Sequence, residues 1–126
     1  MQGIEYYYND EGEIGVLVSG GYGAGWSTWN GASGIKLALD KRIIEIFLKH
    51  EDDRDWLEQI SSFDDNAAKT EFQKKLAEWG YGDDIYLGGF ADCYLEFVPK
   101  GSAIKINEYD GSESLEIGYT EFTILN

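Results

Sequence analysis

Val16-Leu17-Val18-Ser19-Gly20-Gly21-Tyr22-Gly23-Ala24-Gly25-Trp26-Ser27-Thr28-Trp29-Asn30-Gly31 is the stretch on which the fold turns. It opens as an apolar strand, Ile14 to Ser19, and breaks into a loop with glycine at positions 20, 21, 23 and 25. Glycine is used where the backbone takes a positive φ or lets another surface come close, and both uses cost entropy on folding. Two of the four tryptophans follow, interleaved with Ser27, Thr28 and Asn30. Such rings offer an apolar body and a polar handle. Residues Gly21, Tyr22, Gly23, Gly25, Trp26, Ser27, Thr28, Trp29 and Asn30 are therefore the candidate binding residues for a ligand or partner.

Upstream of this stretch, Ile4-Glu5-Tyr6-Tyr7-Tyr8 has the composition of a strand, and Asn9-Asp10-Glu11-Gly12 that of a turn. Together they predict a hairpin that delivers the glycine loop at the end of its second strand. Downstream the periodicity changes. Asp40 is a good N-cap for a helix over 41–50, where Ile43, Ile44, Phe47 and Leu48 recur at helical spacing. The pattern leaves open whether 35–39 extends this helix or forms a short strand. A second helix is expected over 53–61, and a third from a cap at Asp65 or Asn66 to about Trp79, with Gly80 ending it.

The last third reads as β-structure. Ile85-Tyr86-Leu87 suggests a short strand, and Cys93 to Val98 alternates like a half-buried one. Asp110-Gly111 is a preferred two-residue hairpin turn between 103–109 and 113–118, and 119–125 suggests a final strand. The expected architecture is α+β: one domain over 1–126, an antiparallel β-sheet with about three helices packed on one face.

Charge is the strongest global property. Twenty-four acids against ten bases give −14, and the first 35 residues contain neither Lys nor Arg. A field of that sign opposes direct binding of nucleic acid or an anionic membrane and favours a basic partner. Between residues 51 and 65 seven acids face one base; Asp52, Asp53, Asp55 and Glu58 form the candidate acidic partner surface. No apolar run approaches the ~20 residues of a membrane span, and the N-terminus lacks a secretory pattern. The expectation is residence in the cytoplasm, with oligomerisation open.

Sites for chemistry are sparse. The glycine loop lacks the Gly-Lys-Ser/Thr ending of a phosphate loop, although its amides could still grip an anion such as a nucleotide phosphate. One Cys and one His, Cys93 and His50, give no metal cluster. Cys93 reads as core and His50 as a helix C-terminal residue. Glu108 with Glu113 or Glu116 could form a carboxylate pair across the hairpin, but nothing in the spacing selects them for catalysis. No cofactor, metal ligand or catalytic residue is assigned.

Three blocks carry a resemblance: Gly23-Ala24-Gly25-Trp26-Ser27-Thr28-Trp29, Ala38-Leu39-Asp40-Lys41-Arg42-Ile43-Ile44-Glu45, and Val98-Pro99-Lys100-Gly101 with Asn107-Glu108-Tyr109-Asp110-Gly111-Ser112-Glu113. Together they resemble small, functionally uncharacterised proteins of bacteriophages and prophages. The resemblance implies a role in host takeover or evasion of host defence, in a bacterial cytoplasm, and supplies no catalytic residues to carry over. The function expected on these grounds is a non-enzymatic accessory protein that binds and inhibits a basic host factor, for instance a nucleic-acid-handling defence protein. Sequestration of a nucleotide signal by the Gly/Trp loop is the alternative, and a small carboxylate enzyme the third reading.

Overall fold

The computed structural model describes residues 3–118 and 123–126. The order of elements is β1 (Ile14–Ser19), α1 (Lys36–Leu39), α2 (Lys41–His50), α3 (Arg54–Ser61), α4 (Ala67–Glu78), β2 (Cys93–Val98), β3 (Ala103–Tyr109), β4 (Ser112–Gly118) and β5 (Thr123–Ile124). This is an α+β fold. Single 3₁₀ turns at Ser27–Trp29 and Phe90–Asp92 punctuate the loops.

The strands form two antiparallel sheets rather than one: β1 with β2, and a second in the order β4-β3-β5. Strand β1 is buried along its whole length. Its Leu17 joins a cluster with Ile43, Ile44, Phe47, Leu57, Phe72 and Phe90, which gathers α2, α3 and α4. Its Ile14, Val16 and Val18 join a second cluster with Leu39, Ile104 and Leu125, in which the second sheet closes the other side. A strand covered on both faces reads as a continuous apolar run, as 14–18 does.

The expected strand over 4–8 is reduced to an isolated bridge between Tyr8 and Ile14. The Gly15 N–H donates to the Tyr7 carbonyl at 2.8 Å, but the Glu5 carbonyl accepts from the Lys41 N–H at 2.9 Å. The chain is drawn away from β1 to the start of α2, and pairing stops. Residues 85–87 are likewise no strand. The Asn30 side chain takes the place of a neighbouring strand, accepting from the Tyr86 N–H at 2.8 Å and donating to the Tyr86 carbonyl at 3.0 Å. The final strand, expected over 119–125, covers Thr123–Ile124 and stops before Leu125; residues 119–122 lie outside the described residues.

The helices follow their caps. Asp53 accepts from the Trp56 N–H and Asn66 from the Lys69 N–H, which starts α3 and α4 where capping chemistry places them. Gly80, at φ +93°, follows α4. Residues 36–39 form a separate turn of helix, because Asp40 is extended and caps α2 instead of continuing α1.

Asp40 is fully buried and does more than cap. It accepts from the Arg42 N–H at 2.9 Å, from Arg42 Nε at 3.0 Å and Nη2 at 2.7 Å, and from the Tyr81 hydroxyl at 2.8 Å. The Arg42 guanidinium lies 4.7 Å from the centre of the Trp79 ring. Burial alone would push the Asp40 carboxyl up, but hydrogen bonds from Arg42 and Tyr81 outweigh it and hold the group below its ordinary value. One carboxylate thus fastens the start of α2 to the chain following α4.

The sign of the pH dependence follows. A carboxyl depressed in the folded state contributes stability that is complete above the unfolded value of about 3.9 and is lost as pH falls below it. Asp40→Asn is expected to lower stability by about 1–3 kcal/mol at neutral pH. In urea titrations the gap between variant and wild type should narrow as the pH drops below about 4.

A carboxylate nest at the glycine loop

Residues 20–30 are held between two neighbours, the tip of the β3–β4 hairpin and the turn at 88–90. At the tip, Asp110 and Gly111 both have positive φ, +48° and +89°, as a type I′ turn requires. A Cβ on Gly111 would fall on the Ala24 backbone, and one on Gly89 would fall on the Gly25 carbonyl. Glycine at these positions is needed for close approach of backbones. The Gly23 N–H donates to the Asp110 carbonyl, tying loop to tip.

Beneath the tip lies Glu113, only 2% exposed. Its Oε1 accepts from the Ser19 N–H at 2.8 Å. Its Oε2 accepts from the Trp26 N–H at 3.0 Å, the Thr28 N–H at 3.0 Å and the Thr28 hydroxyl. Backbone amides from the two ends of the bend, Ser19 before it and Trp26 and Thr28 after it, converge on one acceptor and so form an anion-binding concavity. The loop therefore does grip an anion, and the anion is this chain's own side chain, 94 residues away from Ser19.

The Trp26 indole, one of the candidate binding residues, is fully buried. Its N–H donates to the Leu37 carbonyl at 2.9 Å, and its ring meets Phe90 edge-on at 5.2 Å. Ser27 and Asn30 are also buried, Asn30 as the brace to Tyr86 described above. Gly25 is enclosed, since a Cβ there would lie 2.6 Å from the Trp29 ring. Gly21 backs onto the Asp92 side chain. Thr28 is half-buried through its bonds to Glu113. These residues shape the site from within.

What faces outward is a smaller set. Tyr22 is 74% exposed, Tyr109 78% and Trp29 39%. Trp29 packs against Tyr86 at 5.4 Å, and its indole N–H donates to Glu108 Oε2 at 2.6 Å. The same Glu108 oxygen accepts from the Gly111 N–H at 3.1 Å, so the rim is fixed to the hairpin turn. A groove of about 350 Å³ runs beside the loop, with Ser27, Thr28, Ile35 and Ile104 among its walls.

The other candidates separate from this rim. Asp52, Asp53, Asp55 and Glu58 are exposed around the start of α3; Arg54 reaches Glu58 at 3.3 Å and donates to the Ala91 carbonyl at 3.0 Å. The hairpin carboxylates all have partners, because Glu116 accepts from Asn107 Nδ2 at 2.7 Å. His50 stacks on Trp56 at 3.8 Å. Burial, then the negative charge of Glu113 and Asp92, pushes the Cys93 thiol well above its ordinary value, so it stays protonated. Among the described residues no group of His, Cys, Asp and Glu could hold a metal ion, and no helix is long and apolar enough to cross a membrane.

The sequence offered Glu113 only as one possible member of a carboxylate pair with Glu108, and its role as the loop's anion was not read from it. The signal was divided: an acid just past a hairpin turn, and a glycine loop with free amides far upstream. Comparison with family models, with curated proteins and with solved structures finds no match for this chain.

Glu113→Gln places an amide donor among the N–H groups and is expected to cost about 2–4 kcal/mol in denaturant unfolding. Exposed Glu116→Gln should stay within about 0.5 kcal/mol of wild type. Trp26→Ala removes a buried ring and should cost about 3–5 kcal/mol, which near-ultraviolet circular dichroism and thermal melts will register.

Proposed function

We propose that this chain is a non-enzymatic, acidic accessory protein of phage type that binds and inhibits a basic host factor in the bacterial cytoplasm. The observation that carries the reading is the exposure of the Tyr22, Trp29 and Tyr109 rings on and beside a loop in which Glu113 binds the Trp26 and Thr28 amides. A rim on a braced backbone presents aromatic anchors with little ordering cost, and aromatic anchors carry much of the energy of protein interfaces. The net charge of −14 supplies steering toward a basic surface and repels nucleic acid. A nucleic-acid-handling defence protein has the surface this chemistry suits.

Nucleotide sequestration has less support. The amides of Ser19, Trp26 and Thr28, which would grip a phosphate, already serve Glu113. A carboxylate beside them repels a second anion.

Affinity capture from a host lysate, with wild type and a Tyr22→Ala/Tyr109→Ala variant, tests the proposal. Loss of the two rings is expected to weaken capture of the specific factor by about 2 kcal/mol or more, with the melting curve unchanged. Raising salt should weaken it further through screening. A captured factor indifferent to both changes would refute this reading. A nucleotide that raises the melting temperature would favour sequestration instead.

A further inference from the structure

Among the described residues, one edge of β2 carries no partner strand. Antiparallel strands direct the backbone groups of alternate residues toward the partner and of the intervening ones away from it. The Gly15 N–H goes to Tyr7 and the Ser19 N–H to Glu113, so Gly15, Leu17 and Ser19 point away from β2. Their register partners Phe97, Leu95 and Cys93 must then point away from β1. The Cys93 N–H is used by the Phe90 carbonyl. Among the described residues β2 pairs with β1 alone, which leaves the N–H and C=O of Leu95 and Phe97 directed at an unpaired edge.

Beside these residues lies a groove of about 430 Å³ with Tyr7, Phe47, Leu48, Leu95 and Phe97 in its lining. Glu51 and Asp52 stand at its rim, at the end of α2, where exposed Asp53 and Asp55 follow. Proteins usually blunt a sheet edge with lysine, proline or a bulge. Within Cys93–Val98 there is no lysine and no proline, the one charged residue is the acid Glu96, and the register with β1 runs without a bulge.

We propose that this edge and groove take up an extended basic segment of a partner protein as an added strand, its apolar side chains entering the groove on one face of the sheet and the alternate cations lying on the other face, on the side of Glu96, with Glu51 and Asp52 adding to the attracting field at the groove's rim. Backbone pairing supplies affinity in such strand addition, and pockets for alternate side chains supply selectivity. Charge selects the occupant: a second copy would bring another −14 to an already acidic rim, whereas a lysine- or arginine-rich strand is attracted. The proposal rests on the reading of the chain as a binder of a basic factor, but it uses a surface separate from the Tyr22/Trp29/Tyr109 rim.

The test uses a capped peptide of alternating lysine and valine, and a control of equal charge with prolines in place of the valines. Amide exchange of the full chain is followed by nuclear magnetic resonance. The first peptide is expected to slow exchange at Leu95 and Phe97 by about tenfold or more, and the proline control to leave them unprotected. Phe97→Pro removes both the outward-facing N–H and the ring that packs on Tyr7 and lines the groove, and edge strands tolerate proline at such a position. It should weaken peptide binding about tenfold or more with the β1–β2 amides still protected. Equal binding of both peptides, protection elsewhere, or no binding overturns the proposal. So does concentration-dependent protection of Leu95 and Phe97 without peptide, which would assign the edge to a second copy. The Tyr22→Ala/Tyr109→Ala variant should bind the peptide as wild type does. If the peptide fails while capture of the host factor still depends on those two rings, the groove proposal falls and the functional reading stands.

Discussion

A buried carboxylate surrounded by backbone amides organises this molecule. Glu113 meets the N–H groups of Ser19, Trp26 and Thr28 and the Thr28 hydroxyl, and so fixes the last turn of β1, the glycine loop and the 3₁₀ turn to one point. Ionised groups are rarely buried unless they are fully bonded, and hydrogen bonds to a charged acceptor are stronger than neutral ones. The loop's glycines serve the same end. They let the chain pass close under the hairpin tip and close over the turn at 88–90, so that the amides converge.

A second acid, Asp40, performs the corresponding task on the helical side. It starts α2, receives Arg42 from its own helix, and receives Tyr81 from beyond α4. Between the two acids runs β1, covered on one side by the helices and on the other by the second sheet. The architecture is a central apolar strand with a charged rivet at each side. Most of the remaining acids face solvent and set the field.

Local chemistry was legible in the sequence. The cap at Asp40, a cap at Asp65 or Asn66 (it is Asn66), the stop at Gly80 and the turn at Asp110-Gly111 act over a few residues, and each appears where its side chain or φ preference dictates; Asp53, expected inside its helix, is the residue that caps it. The α+β class followed from them. What sequence patterns did not convey was pairing at a distance. Residues 4–8 and 85–87 have strand composition, yet the first is diverted by a bond to Lys41 and the second is satisfied by the side chain of Asn30. The two tryptophans look alike in the sequence; one found a carbonyl in the core at Leu37, the other a carboxylate at the surface in Glu108. Nothing within a short window distinguishes them, because both partners lie outside it.

The separation of Ser19 from Glu113 has a consequence during synthesis. On the ribosome the amino-terminal bend emerges early, whereas the acid that completes it is translated 94 residues later. Strand β1 also waits for β2, whose partner to Ile14 is Val98. Folding dominated by such remote closures is slow, and nascent chains with unmatched apolar strands are prone to associate. A strongly acidic chain counters that hazard, since the growing polypeptides repel one another until the closing residues arrive.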